Sequence, residues 1–123
     1  MKLMDLLCEV YNKATIHDFV KFVARELQLQ RLPKKISLTN KSLGQTFGTY
    51  APDLDELVIY AGNRHTVDIL RTLAHELVHH KQMETGVSLD GSDGSPIENE
   101  ANSIAGELLR KYRYKNPEIY TEK

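Results

Sequence analysis

A chain of 123 residues is the size of a single domain with a modest core, and residues 1–123 are read as one unit. Sixteen basic against seventeen acidic side chains leave a formal net charge of −1, which excludes a strong field toward nucleic acid or an anionic membrane. No apolar run reaches the roughly eighteen residues of a membrane span, Asp5 and Glu9 interrupt anything like a secretory signal, and the lone Cys8 excludes an internal disulfide or a cysteine-based metal site, so a cytoplasmic setting is expected.

Leu3, Leu6, Leu7, Val10 and Tyr11 recur at helical spacing and predict an opening helix, with Cys8 as a small apolar side chain within it. Thr15-Ile16-His17-Asp18 resembles a capping box, with Asp in place of the usual Glu or Gln. It predicts a helix running to Leu29 with Phe19, Val20, Val23 and Leu27 on the buried stripe and His17 on the surface. Pro33 closes that region. Residues 35–61 read as β: Ile36 and Leu38 alternate with polar neighbours, and Phe47 and Tyr50 flank Gly48. Ala51-Pro52-Asp53-Leu54-Asp55 carries turn chemistry, and Leu57-Val58-Ile59-Tyr60 makes a third strand. Three short strands with tight loops predict a small antiparallel or mixed sheet.

Gly62-Asn63 breaks the chain, and Thr66 as N-cap with Asp68 in the first turn starts a helix over residues 67–85 that stops at Gly86. Ile69, Leu70, Leu73, Ala74, Leu77 and Val78 are apolar on more than one side of it, which predicts a central helix of an α+β fold. Residues 87–95 read as a glycine- and serine-rich loop. Ser95 at N-cap, Pro96 at N1 and Glu98 at N3 then open the last helix. Its apolar face is Ile97, Ala101, Ile104, Ala105, Leu108 and Tyr112, and a close approach to the preceding helix would account for Gly106.

The central helix carries His75-Glu76-Leu77-Val78-His79, an HExxH pattern whose three fixed positions are His75, Glu76 and His79. Positions i and i+4 share a helix face, so both imidazoles can point at one metal ion. Glu76 lies about 100° around the helix, within reach of water at such an ion without being a ligand. Two histidines, a carboxylate base and an open position are what a hydrolytic zinc site needs; the competing reading is an amphipathic helix with exposed histidines. His80, about 100° from His79, is expected on the helix surface. A third protein ligand is required, and the candidates are Glu98, Glu100, Asp90 and Asp93. The aspartates belong to the loop and would be less firmly held. Glu98 and Glu100 are about 200° apart on a helix, so only one can face the metal. Glu98 shares a face with Asn102, which can hydrogen-bond a ligating histidine, but as an N3 residue it can also serve only as a cap.

HELVH followed by Glu98-Asn99-Glu100-Ala101-Asn102 resembles the gluzincin class of zinc metallopeptidases, in which a glutamate in an E-x-x-x-D pattern on a following helix is the third ligand. The run from Glu98 to Leu109 is most similar to the ImmA/IrrE-type branch and to minimal, single-subdomain gluzincins, and the likeness covers residues 45–112. It implies a zincin-like fold whose HExxH helix packs between a three-stranded sheet and the C-terminal helix. It also implies Zn2+ held by His75, His79 and Glu98, Glu76 as general base, and Asn102 in the aspartate position, where the acceptor remains but the charge is lost. The substrate implied is a protein or peptide, added by main-chain hydrogen bonds to an antiparallel sheet edge formed by residues 57–61. An oxyanion donor would come from Tyr50, Tyr60, His65, Tyr112 or Tyr114. The rival function is a zinc-bearing regulatory or protein-binding module of the same fold with little peptidase activity.

Overall fold

A computed structural model describes residues 13–86 and 95–117. The expected opening helix, and the loop with Asp90 and Asp93, lie outside these residues. The first described helix, α1 (Lys13–Leu27), buries Ile16, Phe19, Val20, Phe22 and Val23. Thr15 and Asp18 already stand inside it, so no capping box forms there. Asp18 instead accepts a 2.7 Å hydrogen bond from the Tyr112 hydroxyl, tying α1 to the last helix. The helix ends at Leu27 rather than Leu29 because Gln28 turns left-handed, at φ 54°. The N–H groups of Gln28 and Leu29 then return to the carbonyls of Arg25 and Ala24, a Schellman closure that satisfies the helix end.

Three strands follow: β1 (Lys35–Thr39), β2 (Gly48–Ala51) and β3 (Glu56–Tyr60). They form a mixed sheet in the order β1-β3-β2, with β1 parallel and β2 antiparallel to β3. β3 is central, paired on both sides, and its alternate residues Leu57 and Ile59 are fully buried. This corrects the edge expected at residues 57–61. The outer strand that lies on the next helix is β2.

That helix, α2 (Thr66–Glu84), contacts α1, β2, β3 and the last helix, and buries Ile69, Leu70, Leu73, Ala74, Leu77 and Val78. Its N-cap is His65, not Thr66: the His65 Nδ1 accepts from the Val67 N–H at 3.1 Å, while Thr66 is buried as the first helical residue. An imidazole acceptor thus does the work expected of the hydroxyl. The last helix, α3 (Pro96–Lys115), begins as expected, with Ser95 Oγ accepting from the Glu98 N–H at 3.3 Å and Pro96 in the first turn. Ala101, Ala105, Leu108, Leu109 and Tyr112 are its buried residues. Gly106 is not a point of close approach, since a Cβ there would meet nothing within 4 Å. Among the described residues, three helices and a three-stranded mixed sheet make a small α+β fold. Among the described residues, no helix is long and apolar enough to cross a membrane.

Candidate metal centre and the groove around it

The rotation of α2 places His75 and His79 one turn apart on the side that faces the first turn of α3. Their rings meet edge to face, 4.8 Å between centroids, and their Nε2 atoms are 3.2 Å apart. Glu98 reaches both: Oε1 lies 3.1 Å from His75 Nε2 and Oε2 lies 3.1 Å from His79 Nε2. Ligands about 2.0–2.1 Å from a tetrahedral ion stand about 3.3–3.4 Å from one another; the two Nε2 atoms are close to that spacing, and each faces a different oxygen of the Glu98 carboxylate. The two imidazoles and the carboxylate form a group able to hold a metal ion. The Glu98 backbone N–H bonds the Ser95 hydroxyl, while its carboxylate faces the histidines. Glu100 is turned away from them and instead accepts a 2.7 Å hydrogen bond from Gln82 Nε2.

Burial shapes the electrostatics. Glu76 is 7% exposed, and loss of hydration pushes its carboxyl up to about 7, helped by the nearby Glu98 carboxylate and opposed by His79. Burial also lowers the pKa of His75, and so does His79 beside it. The Glu98 carboxylate and a hydrogen bond from the His75 ring to the Asn102 side chain act in the opposite direction.

The site opens into a groove in two parts, about 350 and 620 Å³, that share Thr46, Gly48, His75 and Glu76. One wall is β2. Gly48 brings that strand down onto α2: a Cβ there would lie 2.7 Å from Thr72 Cγ2 and 3.1 Å from Glu76 Cγ. Phe47 accepts from the Tyr60 N–H across the β2–β3 pair, so by antiparallel alternation the N–H and C=O of Gly48 and Tyr50 point to the outer edge. At Gly48 both groups meet the hydroxyl of Thr46, which donates to the carbonyl at 2.9 Å and accepts from the N–H at 3.4 Å. Sequence reasoning passed over Gly48, although a glycine between two aromatic residues in a strand is a signal of close backbone approach.

His80 is not a surface residue. It is 2% exposed, its Nε2 donates to the Arg31 carbonyl at 2.8 Å, and its Nδ1 lies 3.0 Å from the Tyr50 hydroxyl. Asp55 stands beside it, held well below the usual carboxylate range chiefly by its hydrogen bond to Arg31. Of the five oxyanion-donor candidates, only Tyr50 lines the groove. His65 is a helix cap, Tyr112 is bonded to Asp18, Tyr60 stacks on Phe47, and Tyr114 is exposed at the far end of α3. Sequence reasoning also missed Gln82, 3% exposed, whose Oε1 lies 2.8 Å from His79 Nδ1.

Compared with known proteins, the chain matches no family model, no curated protein and no solved structure.

Proposed function

We propose that this chain is a metal-dependent hydrolase, with His75, His79 and Glu98 as the metal ligands. The particular member of that class we infer is a zinc metallopeptidase acting on a protein or peptide. The observation that carries the reading is the convergence of two Nε2 atoms and one carboxylate within 3.2 Å, with a second, buried carboxylate on the adjoining residue. Nitrogen and oxygen ligands of this kind suit zinc, and three protein ligands leave one position open, unlike a closed structural site. When bound, zinc polarises a carbonyl and makes water more acidic. Glu76, a buried carboxylate on the groove next to the ligand His75, is suited to taking a proton from water and giving it to a leaving amine. The outer edge of β2 offers main-chain groups beside Glu76 for an extended peptide.

Protein purified without a chelating tag should retain one equivalent of zinc, and His75→Ala should abolish tight binding. A peptide-library digest should show cleavage by the wild type and a fall of about two orders of magnitude or more for Glu76→Gln at equal zinc occupancy. Equal cleavage by both would refute Glu76 as the base. Stoichiometric zinc in a His75→Ala/His79→Ala double variant would refute the site. Zinc retention without cleavage of any peptide would favour the zinc-bearing binding module.

A further inference from the structure

We infer that Gln82 is a positioning residue for the metal centre: its buried amide keeps a proton on His79 Nδ1, aims Nε2 at the centre, and clamps the start of α3 that carries Glu98. The inference rests on the proposed metal site but begins from hydrogen-bond chemistry independent of it. The Gln82 amide nitrogen lies 3.1 Å from the Ile97 carbonyl and 2.7 Å from Glu100 Oε1. A carbonyl and a carboxylate oxygen only accept, so the NH2 group must face them; the reverse orientation would set three oxygens against one another. The amide oxygen is thereby fixed toward His79 Nδ1, 2.8 Å away. An oxygen acceptor at that distance calls for a donor, so Nδ1 carries the proton. His79 Nε2 faces Glu98 and His75, where a metal would take the place of any proton bridging the contact with Glu98. A histidine ligand oriented in this way is held in both ring rotation and protonation pattern.

The second half of the clamp concerns Glu98. Ile97 is its immediate neighbour, and Glu100 lies two residues further on the same helix turn. Gln82 on α2 therefore holds the backbone beside one ligand with the same group that orients another. Gln82 is itself only 3% exposed, so its amide has few other partners if these bonds are lost.

The test uses the whole chain, with zinc affinity measured by chelator competition and the His79 imidazole followed by nitrogen-edited NMR. Wild type should show a slowly exchanging Nδ1–H on His79 with and without zinc. Gln82→Leu should lose that signal and bind zinc about 10–100-fold more weakly, the usual scale for loss of a ligand's hydrogen-bond partner. Gln82→Glu retains an acceptor for Nδ1–H and should keep the signal, while its repulsion from Glu100 weakens zinc binding. A wild-type His79 with a bare Nδ1 would overturn the inference, as would unchanged signal and affinity in Gln82→Leu. If Gln82→Leu fails to fold, the wild-type and Gln82→Glu spectra decide. A wild type with Nδ1–H in place that binds no zinc would instead overturn the metal reading, and the two failures are distinguishable.

Discussion

Replacing Glu76 with Gln should stabilise the metal-free protein, and the gain should grow with pH. An exposed glutamate carboxyl titrates near 4.5, whereas burial carries that of Glu76 to about 7. The folded state therefore holds this proton more tightly than the unfolded chain. Below about pH 4.5 the carboxyl is neutral in both states and carries no penalty. As pH rises toward 7 the unfolded chain ionises first, and stability falls until the folded carboxyl ionises as well. At about 1.4 kcal/mol per pH unit, the difference amounts to about 3 kcal/mol above pH 7. Gln has nearly the same shape and no charge, so the variant escapes this loss. Urea unfolding of both proteins in excess chelator, at pH 4.5 and pH 8, measures it. The two should be close in stability at the lower pH, with the variant ahead by about 3 kcal/mol at the higher. Both histidines are present in each protein, so their titration largely drops out of the comparison. A stability difference that does not change with pH would refute the reasoning, because it would mean that Glu76 is hydrated in the folded protein.

Gly48→Ala places a Cβ against Thr72, Glu76 and Ile59, and should cost about 1–3 kcal/mol by overpacking; it should also lower turnover more than zinc affinity, which denaturation and single-turnover kinetics would separate. Gly106→Ala should do the reverse, raising stability by about 0.5–1 kcal/mol in thermal or urea unfolding with no change in zinc binding, since the added methyl meets open space. His80→Ala should cost about 3 kcal/mol, measured in the same way, because it strips partners from the Arg31 carbonyl and the Tyr50 hydroxyl in a buried setting.

The features legible in the sequence were those written locally. The apolar spacing around residues 69–78 announced a helix buried on several sides, and Ser95-Pro96 announced the start of α3 to the residue. The pairing of His75 with His79 needed only the helix repeat. What depended on distant chain was hidden. His80 looks solvated on an isolated helix, and only Arg31, Tyr50 and Asp55, which arrive from other elements, cover it. Glu98 and Glu100 are equivalent until α3 docks on α2 and turns one toward the histidines and the other toward Gln82. Strand alternation identified three strands but carried no information on which lies in the middle; the edge expected at β3 rested on the family resemblance alone, and its composition fits a central strand equally well. Close approach was expected at Gly106, yet it is Gly48 that lies against a neighbouring helix, and that follows from the sheet order.

The Thr46 hydroxyl has a consequence for how this molecule lives in a crowded solution. A bare strand edge invites any other strand, including that of a second copy, and proteins guard such edges against unwanted pairing. Here the guard is a single side chain that answers both main-chain groups of Gly48, as a neighbouring strand would. It is tethered two residues away and swings on one rotatable bond, so uncovering the edge breaks two hydrogen bonds and moves no backbone. A partner that supplies a full run of main-chain hydrogen bonds along β2 outweighs them, while a glancing encounter does not. Thr46 thus sets a threshold for admission, which Thr46→Val would lower by removing the hydroxyl while keeping the shape.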